Sequence, residues 1–181
     1  MLGALSSNSY ADVIEIPDSA LTMNDELGED INQTLYHFRY GHYLPSEIND
    51  DYSERTLNGY LEVLDPNKIY FTQKDIDAFQ VYRHELDDLL KKRDAEVAFD
   101  IFKLFRERMD SRNSLIKELI QKDFDFTLNE SINIDREELS WAKDENEIEQ
   151  RWYKRIKNDT LSQVMAETEL DEIRELSLIH I

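Results

Sequence analysis

Apolar residues recur at intervals of three and four positions along most of this chain of 181 residues. This spacing is typical of amphipathic α-helices. Gly occurs only 4 times and Pro only 3 times, whereas turn-rich all-β folds need more of both residues. The sequence therefore predicts a mainly all-α fold, a bundle of about five helices, and its length suffices for one domain with a sizeable core.

Capping residues and prolines set the limits of the predicted helices. Thr22 is expected to open the first helix, and the second is expected to begin within 46–53 and to end at Asp65, because a residue before proline avoids the helical conformation. Thr72 caps a third helix through residue 90, a fourth runs from Asp94 to about residue 122, and Asp144 opens the last. The residues predicted to face inward are Leu27, Ile31, Leu35, Phe38, Leu57, Tyr60, Leu61, Leu64, Ile76, Phe79, Leu86, Leu89, Leu90, Ala98, Phe102, Phe105, Met109, Leu115, Ile116, Leu119, Ile120, Ile148, Trp152, Ile156, Leu161, Val164 and Met165.

Charged residues on the third helix are predicted to lie on its outer face. There Asp87 with Lys91 and Asp88 with Lys92 form acid-first pairs four residues apart.

The helical period is lost near residues 123–140, where apolar and polar residues alternate as in a half-buried extended segment. Two interpretations fit this irregular or short β segment: a hairpin around Asn129, or an irregular strap across the helices.

The charge balance excludes one class of partner. Lys and Arg number 21 and Asp and Glu number 40, so the formal net charge is −19. A phosphate backbone repels such a surface, and the sequence therefore predicts no nucleic-acid partner. An anionic membrane surface is disfavoured for the same reason, and no apolar run approaches the roughly 20 residues that a membrane span needs.

No residue pattern points to catalysis or to a cofactor. The chain has no Cys and 4 His, of which only His37 and His42 are close in sequence, and their spacing of five does not place them on one helical face. Gly-rich phosphate loops and the Gly-x-Ser-x-Gly elbow are both absent from the sequence. The sequence thus predicts no catalytic, cofactor-binding or metal-binding residue and no cofactor.

The first 11 residues carry no charge, unlike the rest of the chain. Ser9 and Ala11 are small residues at the positions that precede a signal-peptidase cleavage site. Residues 1–11 are therefore interpreted either as the remnant of a clipped signal peptide or as an ordinary N-terminus, with residues 12–24 as an N-terminal extension.

Several stretches resemble the N-terminal domain of the tail-specific proteases, also called carboxy-terminal processing peptidases. The resemblance covers about residues 30–175 and is most specific in the run Tyr60-Leu61-Glu62-Val63-Leu64-Asp65-Pro66-Asn67-Lys68-Ile69-Tyr70-Phe71. The other matching positions are Gly41, His42, Tyr43, Asp51, Ser53, Arg55, Asp75, Phe79, residues 123–130, Asp135, Arg136, Glu137, Trp141, residues 147–152 and Lys157.

The resemblance implies a parent enzyme of several domains. It would be a periplasmic serine endopeptidase with a Ser/Lys catalytic pair, acting on the C-terminal tails of protein substrates, and exported by a signal peptide. This chain would be its non-catalytic helical scaffold and docking domain, residues 25–176, with PDZ and protease domains downstream. A helical-repeat lipoprotein adaptor is a further implied partner. No residue here matches the catalytic motif of the family.

Two further expectations follow. Residues 177–181 lack the charged residues that precede them, and whether they are native is doubtful. They are interpreted either as foreign to the natural protein or as a genuine apolar helix end. A domain cut from its neighbours would expose apolar surface. The candidates are Leu176, Leu178 and Ile179 near the end of the chain, and Phe99 and Ile101 on the fourth helix. The alternative to the protease domain is a free-standing acidic helical protein-binding module.

Overall fold

A computed structural model describes residues 16–41, 47–133, 135 and 139–165. Within these residues the chain forms helices and no regular strand; one isolated parallel bridge joins Thr72 and Ala142. This confirms the predicted all-α class. The α-helices are α1 (Asp25–Tyr40), α2 (Asp50–Leu64), α3 (Gln73–Phe79), α4 (Leu86–Lys91), α5 (Glu96–Leu119) and α6 (Glu145–Met165), and two 3₁₀ turns occupy Asp18–Ala20 and Gln80–Tyr82.

Most helix starts follow the expected capping chemistry. The Thr72 side chain and the Asp75 side chain cap the start of α3 reciprocally, and Asp144 Oδ1 accepts a hydrogen bond from Glu147 N at 3.0 Å at the start of α6. The prediction for the first helix was wrong by two residues. Asn24 caps α1, because the Thr22 hydroxyl donates instead to Glu96 Oε2 at 3.1 Å.

The third predicted helix is broken into α3, a 3₁₀ turn and α4. A continuous helix would place Arg83 two turns after Ile76, on the same buried face. Instead Arg83 points outward and its Nη2 donates to Glu54 Oε1 at 2.5 Å. The break also turns α4, so that the assignment of Asp87 to an outer face was wrong: it is 3% exposed and accepts a 2.7 Å hydrogen bond from Ser53 Oγ of α2.

Lys91 Nζ contacts two acids at the end of α4. It lies 2.6 Å from Asp87 Oδ2, as predicted, and 3.3 Å from Asp88 Oδ1. The chain leaves α4 through Arg93 in the left-handed conformation, with φ 64°, and Arg93 forms an ion pair with Glu29 of α1. The turn after α4 therefore contacts α1 through this ion pair.

Two hydrophobic clusters form the core, and α5 runs through both. The first contains Leu57, Leu61, Phe71, Ile76, Phe79, Leu86, Val97 and Ile101. The second contains Ile69, Ile116, Leu119, Ile120, Ala142, Ile148, Trp152 and Ile156.

The predicted inner stripe of α5 is displaced by part of a turn. Ile101 is 1% exposed, whereas Phe102 and Phe105 are only half-buried. The C-terminal end of α6 also departs from prediction, since Leu161, Val164 and Met165 are 39%, 40% and 77% exposed. Periodicity locates an apolar face, but the neighbours of a helix decide which part of that face is covered.

The described part of residues 123–140 forms turns and irregular backbone, which agrees with the strap and not with the hairpin. Glu130 forms an ion pair with Lys157 of α6, and Lys154 Nζ donates to Ser131 O at 3.2 Å. Phe124 packs on Tyr153, with ring centroids 5.4 Å apart. The strap thus lies along α6.

Gly59 offers a test of the helix assignment. It lies inside α2, and a Cβ atom added there would meet, within 4 Å, nothing beyond its sequence neighbours and the backbone of its own helix. Gly59→Ala is expected to raise the free energy of unfolding by about 0.5–1 kcal/mol, because Ala loses less backbone entropy in a helix. Urea denaturation measures the change, and a destabilised variant would contradict the placement of α2.

Candidate functional site

The turn between α2 and α3 is built around a buried carboxylate. Asp65 is 0% exposed. Its Oδ1 accepts from Ile69 N at 2.9 Å, and its Oδ2 accepts from Tyr70 N at 2.8 Å and from Phe71 N at 2.9 Å. Burial raises the pKa of Asp65 above its ordinary value even though these three donors oppose the shift. One side chain therefore orders the backbone of residues 69–71, which belong to the run that carries the most specific resemblance.

The same turn joins three segments of the chain. Lys68 adopts a left-handed conformation with φ 53°. Its ammonium group donates to the carbonyl of Leu139 and lies 5.6 Å from the Trp141 ring centroid. Its carbonyl accepts from Arg151 Nη1 of α6 at 2.8 Å. The Trp152 indole, 3% exposed, donates from Nε1 to Ile69 O at 3.0 Å.

A second buried carboxylate joins α3 to α5. Arg108 Nε and Nη2 donate to Asp75 Oδ2 and Oδ1 at 3.0 and 2.6 Å, and Thr72 N donates to Asp75 Oδ2 at 2.9 Å. Burial alone would raise the pKa of Asp75, but the bonds from Arg108 and Thr72 outweigh it, so that the pKa lies below its ordinary value.

This lowered pKa predicts an acid-dependent stability. Because the folded state favours the ionised Asp75, the stabilisation is complete above the ordinary pKa of 3.8 and is lost as the pH falls through the lower pKa of the folded state. Asp75→Asn is therefore expected to destabilise the domain most near neutral pH, and its deficit relative to the unmodified chain should shrink below about pH 4. Urea denaturation of both proteins between pH 7 and pH 3, the range in which a carboxyl group usually titrates, measures this difference. A deficit in stability that stays constant over this range would contradict the prediction.

Sequence reasoning missed the role of Arg112. It is 2% exposed, forms an ion pair with Glu145 at the start of α6, and donates from Nη2 to Tyr70 O at 2.9 Å. Its position four residues before Ile116 puts it on the buried face of α5, which is the signal that could have revealed it. The contact positions α6 against the turn at residue 70.

An open depression of about 420 Å³ lies beside α6. We call it the α6 depression. It is bounded by Asn67 and Ile69, by residues 131–133 of the strap with Leu139, and by one face of α6 between Glu147 and Asp159. Arg151, Lys154 and Arg155 line it, together with apolar side chains that include Ile132. Glu147 and Asp159 also line it, so that its surface is a mixture of apolar, cationic and acidic side chains.

A second open surface is aromatic. Tyr36 and Tyr40 on α1 are 61% and 66% exposed, and their ring centroids lie 5.0 Å apart. The Arg39 guanidinium lies 5.6 Å from the Tyr40 ring centroid. They border a depression of about 780 Å³ that continues to Ile48 and Lys91.

The histidines were predicted to bind no metal. His37 and His84 are exposed, and His42 and His180 lie outside the described residues. Among the residues that the structure describes, no group of three His, Cys, Asp or Glu side chains is placed to hold a metal ion. Within that same part of the chain, no helix is long and apolar enough to cross a membrane.

Comparison with known proteins finds similarity to one protein family and to a curated relative. The family "Tail specific protease N-terminal domain" matches residues 34–179. The tail-specific protease of Haemophilus influenzae is 32% identical over 134 residues, which are 74% of this chain and 19% of that protein. The chain therefore spans about a fifth of the length of this curated relative.

Proposed function

The chain belongs to the family of tail-specific protease N-terminal domains, and from this membership we propose that it is the non-catalytic scaffold and docking domain of a serine-type endopeptidase. Such an enzyme would process or degrade proteins from their C-terminal tails. The observation that carries the proposal is the extent of the match. It covers most of this chain but only 19% of the protease, so most of a homologous enzyme has no counterpart here.

The exposed apolar side chains support a docking role. Leu161, Val164 and Met165 lie at the end of α6 that leads toward any downstream domain. The prediction that Ile101 is exposed was wrong, since it is 1% exposed, and Phe99 is half-buried. The other predicted candidates, Leu176, Leu178 and Ile179, lie outside the described residues. In our proposal the end of α6 takes the place of the predicted face of α5.

The remaining parts of the proposal concern the whole enzyme. We place its PDZ and protease domains after this chain, with a Ser/Lys pair as the catalytic residues. We place the enzyme in the periplasm, exported by a signal peptide to which residues 1–11 belong, and we include a helical-repeat lipoprotein adaptor among its partners.

Sequencing the genomic DNA on both sides of this reading frame tests the proposal. We expect an in-frame PDZ segment followed by a Ser/Lys protease region, and an upstream extension that completes a signal peptide. A stop codon after the helical domain in the genomic sequence would overturn the proposal and favour a free-standing acidic binding module.

A peptidase assay tests the non-catalytic assignment separately. The chain of 181 residues is incubated with an unfolded protein that carries an apolar C-terminus. No cleavage is expected. Cleavage that is abolished by replacing a serine of this chain with alanine would contradict a purely structural role.

A further inference from the structure

We propose that the α6 depression binds an extended acidic peptide segment of another protein, through glutamate or aspartate side chains. This inference concerns binding by this chain itself, and it does not depend on the presence of a protease domain. It follows from the charge of the depression, from its lining and from its size.

The depression carries three cations, although the protein as a whole is strongly acidic. Arg151, Lys154 and Arg155 line it, whereas the chain as a whole carries a formal charge of −19. Arg151 is occupied by Glu147 Oε1 at 2.6 Å and by two backbone carbonyls. Lys154 and Arg155 form no ion pair with any residue in the described part of the chain. These two cations are thus the groups that an incoming carboxylate would meet.

Local packing holds both cations beside the depression. The Arg155 guanidinium lies 5.9 Å from the Trp152 ring centroid, and Trp152 is itself buried. Lys154 Nζ donates one of its three protons to Ser131 O, which leaves two for another acceptor. Because their side chains are already ordered, binding costs less conformational entropy than at a freely moving surface pair.

The rest of the lining suits a peptide. Ile69, Ile132 and Leu139 supply apolar surface, and the amides of Asn67 and Asn158 can both donate to and accept from peptide groups. A volume of about 420 Å³ lies within the range of ligand-binding depressions and accommodates a few residues of an extended chain.

The acids at the depression favour a peptide carboxylate over a polyanion. Glu147 and Asp159 also line the depression, so that its excess positive charge is small. A phosphate dianion or a nucleic acid would meet these carboxylates and the overall charge of −19. A peptide with separated single charges can place each carboxylate against a cation.

Isothermal titration of the full chain with a defined probe tests the proposal. The probe is the acetylated and amidated peptide Gly-Leu-Glu-Leu-Glu-Gly, and its neutral counterpart carries Gln in place of Glu. The Glu peptide is expected to bind about tenfold more tightly than the Gln peptide, because a charge-assisted hydrogen bond is about twice as strong as a neutral one. Raising the salt concentration should reduce this preference.

Matched variants locate the site. Lys154→Gln and Arg155→Gln are each expected to weaken binding of the Glu peptide about threefold to tenfold. Lys92→Gln makes the same charge change at an exposed position after α4 that does not line the depression, and it should change binding less than about twofold.

Three results would overturn the proposal: no binding of the Glu peptide, equal binding of the Glu and Gln peptides, or losses in the two α6 variants no larger than in Lys92→Gln. Thermal unfolding checks that each variant is folded. If Arg155→Gln loses stability because its contact with Trp152 is lost, Lys154→Gln alone decides the outcome. None of these results bears on the protease assignment, which genomic sequencing tests.

Discussion

Replacing Asp65 with Ala is expected to lower the free energy of unfolding by about 3–9 kcal/mol, because it leaves three backbone N–H groups without an acceptor and each costs about 1–3 kcal/mol. These donors belong to Ile69, Tyr70 and Phe71, and all three lie within 2.9 Å of the carboxylate. Typical domains have only about 5–15 kcal/mol in total. Urea denaturation followed by circular dichroism measures the loss.

Two variants control this experiment. Asp65→Asn keeps one oxygen acceptor and is expected to lose less stability than Asp65→Ala. Asp30→Ala removes an exposed carboxylate from α1 and should change stability by less than about 0.5 kcal/mol. If Asp65→Ala resembled Asp30→Ala, the buried carboxylate would not be the group that orders the turn.

Replacing Trp152 with Ala is expected to cost about 3–5 kcal/mol, the usual range for truncation of a buried aromatic side chain. Trp152 is 3% exposed, packs within the second cluster and donates to Ile69 O. Trp152→Phe keeps a ring and loses the hydrogen bond, so it should cost less. Thermal and urea unfolding, followed by the circular dichroism of the backbone, measure the loss.

Phe102 is the matched comparison. The sequence predicts it to be a core anchor like Trp152, but it is half-buried and lies 6.3 Å from Phe105 between ring centroids. Phe102→Ala is therefore expected to cost clearly less than Trp152→Ala, since the stabilisation scales with the apolar area removed from water. Equal losses would indicate that Phe102 is covered in solution.

Asp65→Ala and Trp152→Ala together test whether the turn at residues 65–71 positions α6 against the rest of the domain. The Asp65 carboxylate accepts hydrogen bonds from the backbone of this turn, and the Trp152 indole of α6 donates one to the Ile69 carbonyl. Residues 65–71 contribute to both hydrophobic clusters, through Phe71 in one and Ile69 in the other. Loss of either contact should therefore loosen the docking of α6 against the first half of the domain.

The α6 depression could not be predicted from the sequence. Its lining comes from Asn67 and Ile69, from residues 131–133 with Leu139, and from α6, which are distant along the chain. The cations Lys154 and Arg155 resemble any other solvated helix face until the strap is placed beside them. Only the resemblance of the run Tyr60 to Phe71 pointed to this region.

Local features were readable from the sequence by itself. It determined the all-α class, the end of α2 before Pro66, and the caps of α3 and α6 at Thr72 and Asp144. Each of these depends on interactions within a few residues: the helical period, the conformational restriction before proline and the bonding of the first free N–H groups of a helix.

Tertiary structure decided which faces are covered and which charges are buried. It divided the third predicted helix, buried Asp87 and Arg112, centred the inner face of α5 on Ile101 and left the end of α6 exposed. A buried charged residue needs a hydrogen-bonding partner, and for Asp87 that partner is Ser53 of a different helix. Such pairings depend on which helices meet, and that is set by contacts between residues far apart in the chain.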